Sequence, residues 1–196
     1  MTLRKWFHLF WTTLLIGVVL SVFIGLILQL SDQEFPILGI SAFGFNLVNM
    51  ALGGATISVL SQMGFFAYLI VRFIAMGIFR KKIVWDFLQL AVVIVVLFDT
   101  VYLRYSNLNG SLLSYTFLPL IILIISFGIA FWKVAMTNRN AFVPTLFFMF
   151  AVTVLEAVPA LKLDNPASSL FMLVPLLGCN AWQILTLHRV VENKKS

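Results

Sequence analysis

The chain has 196 residues, 62% of them hydrophobic and only 10% charged, with thirteen Lys and Arg against seven Asp and Glu for a formal net charge of +6; its mean hydropathy is +1.06. Ordinary globular domains are about 45–50% apolar and about 25% charged, and one of this length still leaves roughly 30% of its chain surface in water. These proportions exclude a soluble enzyme, a disordered tail and a secreted disulfide scaffold, and leave an all-α polytopic membrane bundle forming one domain over residues 1–196.

Six spans are predicted, each long enough to supply the roughly 20 apolar residues that cross about 30 Å of hydrocarbon as a helix. The first, about Trp6–Leu30, follows Arg4 and Lys5 as a signal peptide would, but the uncharged run from Trp6 to Ser31 is too long for one and no A-x-A site follows, so it reads as an uncleaved span. The second is about Phe45–Val71. Its surroundings allow three arrangements: one long tilted helix toward Lys81, a break near Gly53-Gly54 or Gly64, or a separate interfacial segment Phe73–Phe79 between Arg72 and Arg80. The others are about Ile83–Leu103, Leu112–Trp132, Ala141–Leu161 and Ser169–Leu187. Pro36 and Gly39, Asn107-Leu108-Asn109-Gly110, Asn138-Arg139-Asn140 and Asp164-Asn165-Pro166 punctuate the connections. Pro119, Pro144, Pro159 and Pro175 are expected to kink spans four, five and six.

With six spans, eleven Lys and Arg fall at the end that holds both termini and only Arg104 and Lys162 at the other. The positive-inside rule then places both termini on the cytoplasmic side of the membrane. The basic excess is read as facing anionic lipid, not nucleic acid, because the longest basic run is the short Arg80-Lys81-Lys82. Cys179 is the sole cysteine and lies in an apolar run, as a small hydrophobe would.

In lipid, helices associate by close packing of small residues and by hydrogen bonds. Thr13, Gly17, Ser21, Gly25 and Gln29 recur at a spacing of four, and Gly54, Ser58 and Gln62, with Ala51 and Ala55 alongside, do the same in span two. These faces are expected to meet each other or a partner helix. Intramembrane ionisable groups are costly and are functional candidates. Asp99 and Glu156 lie toward the outer ends of spans three and five, at similar depth. They would either share a proton or a cation as a pair, or sit in the interface near Arg104 and Lys162. Gln62, Gln89, Asn180 and Gln183 form an inner amide group, either bridging helices or lining a polar pocket.

Catalytic patterns are absent from the sequence. There is no HExxH, Walker loop or GxGxxG, and no metal or cofactor is expected. His8 and His188 sit at the cytoplasmic edge, and the faint serine-loop likeness of Gly39-Ile40-Ser41-Ala42 has no base at its depth.

The run SQMGFFAYL at Ser61–Leu69, followed by Arg72, Gly77-Ile78-Phe79-Arg80, Trp85, Gln89, Phe98-Asp99 and Tyr102-Leu103-Arg104-Tyr105, resembles the KinB-signalling pathway activation (KbaA) family of spore-forming bacteria. Gln62, Gly64, Tyr68, Arg72, Asp99 and Arg104 carry the match. The resemblance implies a multi-pass cell-membrane protein, not an enzyme, that promotes signalling by a membrane-bound sporulation histidine kinase. On the residues alone, Ser61, Gln62 and Gly64 would form a close helix contact, and Asp99 and Arg104 would anchor span three. The competing expectation is a small-molecule-binding component of a transporter, with Asp99, Glu156 or the inner amides lining its site. A homo-oligomer is also compatible with the small-residue faces.

Overall fold

The computed structural model describes residues 3–31, 40–79, 81–107, 112–162 and 165–191. Pro36, Gly39, Arg80, Leu108, Asn109, Gly110, Asp164, Lys194 and Lys195 lie outside the described residues. The helices are α1 (Leu3–Ser31), α2 (Ile40–Ile78), α3 (Lys82–Asn107), α4 (Leu112–Met136), α5 (Phe142–Phe147), α6 (Thr153–Leu161) and α7 (Pro166–Val191). Among the described residues, six stretches are long and apolar enough to cross a membrane. The fifth, Arg139–Leu161, is assembled from the short turn Arg139–Ala141, α5, a π-turn Phe148–Val152, and α6.

α2 runs unbroken for 39 residues. At 1.5 Å per residue that is about 58 Å, well beyond a hydrocarbon core. The first of the three arrangements expected for this region is therefore the one adopted. Its helical backbone begins at Ile40, so Ser41 lies in a helix and not in a loop. Gly53, Gly54 and Gly64 do not interrupt it, because neighbouring residues in the helix keep the backbone bonds. What these glycines supply is closeness. A Cβ on Gly17 would lie 2.7 Å from Ser58 Cβ and 2.9 Å from the Gly54 carbonyl, and one on Gly54 would lie 2.6 Å from the Gly17 carbonyl. Gly25 meets instead the flexible side chain of Met50, with Sδ 2.7 Å from an added Cβ. Positions rise along α1 as they fall along α2, the mark of antiparallel neighbours. α7 closes the third side, with Cys179 Sγ 3.6 Å from the Thr13 carbonyl and Leu20 against Gly178.

Because backbone atoms form this contact, they cannot rotate aside. Gly54→Ala is expected to cost about 1–3 kcal/mol by overpacking. Gly128, which has nothing within 4 Å of an added Cβ, should gain up to about 1 kcal/mol as Gly128→Ala from helix propensity. Unfolding in bicelles checks both, and equal effects at the two sites would contradict the close approach.

The fifth span is the most enclosed: 61% of its apolar window is buried, against 22% for the first and the third. Phe148 lies between Phe65, which it meets edge to face with centroids 5.5 Å apart, and Tyr68, tilted against it at 5.2 Å. Phe150, Val154 and Ala157 pack with Ile57, Leu173 and Leu176. The Pro144 carbonyl accepts the Tyr68 hydroxyl at 3.3 Å and the Phe148 N–H. Asn165 caps α7 through Oδ1, which accepts from the N–H groups of Ala167 and Ser168 at 2.9 and 3.2 Å, and Pro166 stands where a helix does not need an N–H.

Outward positions recur every third or fourth residue and are apolar: Phe7, Trp11, Leu15, Val19 and Phe23 on α1, and Phe87, Leu90, Ile94 and Phe98 on α3. Such a surface suits lipid contact, not water. The described ends of the chain lie together, since Lys5 Nζ donates to the Arg189 carbonyl at 3.1 Å. Lys133, from α4, donates to the Leu185 carbonyl at 3.2 Å and lies 3.2 Å from His188 Nδ1. Two lysines thus reach the last turns of α7, where the helix dipole favours positive charge.

A buried carboxyl–amide relay as candidate functional site

Most hydroxyls in the bundle bond backward within their own helix, as Thr13 does to the Leu9 carbonyl at 2.7 Å and Ser126 to the Ile122 carbonyl at 2.7 Å. Ser61 and Thr153 bond across helices instead. Gln183 Nε2 donates to Ser61 Oγ at 3.0 Å. Ser61 Oγ donates to Asn180 Oδ1 at 2.6 Å. Asn180 Nδ2 then donates to Thr153 Oγ1 at 2.8 Å and to Glu156 Oε2 at 2.9 Å. The relay joins α7 to α2, back to α7, and on to α6. Asn180, Ser61 and Thr153 have no exposed surface, and Glu156 retains 9%.

The three-residue spacing of Asn180 and Gln183 puts them on one face of α7, directed at α2 and α6. Glu156 reaches the relay because one residue turns a helix by about 100°. Leu155, its neighbour, points outward at 71% exposure, while Glu156 points inward. The π-turn just before α6 accommodates one extra residue in that turn and so resets the facing of everything after it. Gly64 makes room for the carboxyl: a Cβ there would overlap Glu156 Oε1 and lie 2.7 Å from its Cδ. Glu156 Oε1 and Gln183 Oε1 are buried without a hydrogen-bond partner.

The remaining sequence candidates fall elsewhere. Asp99 is exposed on α3 and borders a small cavity of about 60 Å³ with Val154, Leu155 and Val158. It shares a level with α6, as expected, but faces the outward side of that helix while Glu156 faces the opposite side. The two carboxyls do not form a pair. Among the described residues neither forms an ion pair with Arg104 or Lys162; the ion pair Lys82–Asp86, at 3.7 Å, lies on α3. Arg104 sits over the Tyr115 ring at 5.6 Å.

The inner amides divide into three. Asn180 and Gln183 belong to the relay. Gln62 Nε2 donates to Ser58 Oγ at 3.3 Å and to the Phe10 carbonyl at 3.4 Å. Gln89 is buried beside the Tyr68 hydroxyl, near Arg72, but its amide atoms meet no partner in bonding geometry. Gly17, Ser21, Gly25, Gly54 and Ser58 are consumed by the α1–α2 seam, so they are not free for another chain. Sequence reading missed Thr153, because a single threonine in an apolar run carries no periodic signal. It also missed the Lys133–His188 contact, which joins residues 55 positions apart. Among the described residues no three His, Cys, Asp or Glu side chains are grouped to hold a metal ion.

Fold and relay together define an all-helical bundle with six membrane-span-length stretches among the described residues, and a buried carboxyl held by the Asn180 amide. The chain belongs to the KbaA family, described as KinB-signalling pathway activation in sporulation, whose profile matches residues 17–190. It is similar to the KinB-signaling pathway activation protein of Bacillus subtilis (strain 168), with 34% identity over 185 residues covering 92% of this chain and 93% of that protein. No solved structure matches the chain.

Proposed function

We propose that this chain is a multi-pass protein of the bacterial cell membrane that promotes signalling by a membrane-bound sporulation histidine kinase through helix–helix contacts, without catalysis of its own. The observation that carries the reading is the family match over residues 17–190, joined to six apolar span-length helices. The charge asymmetry supports both termini facing the cytoplasm. A regulator shifts a kinase only through differential contacts with its two states. A coupling of about 1–3 kcal/mol changes output roughly five- to 150-fold.

The small-residue faces of α1 and α2 are occupied by each other and by α7, which leaves outward apolar faces for the kinase. α3 offers such a face through Phe87, Val95 and Phe98. Photo-crosslinkers at Phe87 and Val95 should capture a kinase transmembrane helix in native membranes, while one at the buried Val93 should not. Deleting the chain should lower kinase-dependent phosphorylation at constant kinase abundance. A parallel fall in kinase abundance would replace switching with an assembly role, and capture of another copy of this chain alone would replace the kinase with a homo-oligomer.

A further inference from the structure

At the end of the bundle opposite the described termini, α1, α2 and the start of α7 border an open-mouthed pocket of about 410 Å³. That volume falls within the roughly 300–1,000 Å³ of small-molecule sites. None of its described lining residues is charged, yet four carboxamides meet there: Gln29, Asn46, Asn49 and Asn165. Asn46 and Asn49 are three apart and share a face of α2. Asn165 spends its Oδ1 on the α7 cap, which leaves its two Nδ2 hydrogens to donate. Gln29 is the telling residue: both its Nε2 and its Oε1 are buried with no hydrogen-bond partner. A buried donor and acceptor left unmade together are rare in native proteins and call for a missing partner. Met50 and Phe171 add apolar wall.

A carboxamide presents an acceptor beside a donor, and the N–H and C=O of one residue in an extended chain, which point the same way, match that edge. From the neutral carboxamides and the apolar wall, we infer that this cavity binds a short uncharged peptide in extended form, its backbone N–H and C=O groups paired to Gln29, Asn46 and Asn49 and an apolar side chain set against Met50 and Phe171. The site stands on its own geometry and holds whether or not the chain regulates a kinase.

The test uses the full chain in lipid nanodiscs, incubated with a pool of tripeptides acetylated at the N-terminus and amidated at the C-terminus, alongside a pool of neutral disaccharides. Retained compounds are identified by mass spectrometry after washing. A subset of the capped peptides is expected to be retained, with at least a tenfold loss of retention in Gln29→Leu combined with Asn49→Leu. Should that variant fail to fold, a diazirine-bearing version of a retained peptide on the unmodified chain takes its place, and it should label Met50 or Phe171. No retained peptide, retention of disaccharides instead, unchanged retention in the folded double variant, or labelling elsewhere would each overturn the assignment.

Discussion

Gly64→Ala is expected to destabilise the bundle by about 1–3 kcal/mol, the range for overpacking a filled interior. The new methyl would occupy the place of Glu156 Oε1. A free glutamate would swing away at little cost, but the other oxygen of this one is held by Asn180 at 2.9 Å, and Val152 lies on the same side at 3.3 Å. The methyl therefore breaks the relay or pushes α2 from α6. Glu156→Ala removes the obstructing atoms, so the double variant should be more stable than the sum of the single costs, with a coupling of about 0.5–3 kcal/mol. Steric-trap unfolding of the four proteins in bicelles measures it. Strictly additive costs would mean that Gly64 and Glu156 do not meet.

Asn180→Leu is the second large effect. Leucine approximates the volume but strands three groups at once: Ser61 Oγ loses its acceptor, and Thr153 Oγ1 and Glu156 Oε2 lose their donor. A buried polar group left unpaired costs about 1–3 kcal/mol, although hydrogen bonds between membrane helices average nearer 0.6. A total of about 2–3 kcal/mol is expected on that basis, with kinase-dependent output falling in step. Asn180→Asp separates geometry from charge. It keeps the acceptor for Ser61 but sets a second carboxyl beside Glu156, and two carboxyls in contact cannot both ionise. Glu156→Gln keeps shape and the acceptor for Asn180 and sets its Nε2 where Oε1 already lacks a partner, so stability should change by about 1 kcal/mol or less. If Glu156→Gln abolishes signalling while the bundle stays stable, the carboxyl acts in signalling; if both survive, the relay serves to hold α2, α6 and α7 together.

The six span-length apolar helices of the described residues could be read from sequence because each depends on a local sum. About twenty apolar residues in succession form a span whatever lies around them, and prolines, glycines and asparagines mark the joins. The Asn165-Pro166 junction shows how well such signals transfer, since cap and first helical residue both sit where their chemistry places them. The stripe from Thr13 to Gln29 pointed to a close contact, and the structure gives that contact to α2 and α7. The run from Ser61 to Tyr105 likewise carried the family resemblance.

Pairing across the core is a different kind of property. Asp99 and Glu156 looked equivalent by depth, yet one faces outward and the other inward. A helix turns about 100° with each residue, and the π-turn at Phe148–Val152 shifts that facing without leaving a mark in composition. The unbroken course of α2 was likewise one of three allowed readings until its neighbours were known. Apolar length and charge balance add up along the chain, so the amino-acid order alone determined the number of spans and the end that gathers the cations. Which acid meets which amide depends on the rotation of several helices about their own axes, and only their mutual packing decided that Glu156 would lie against Gly64 and Asn180.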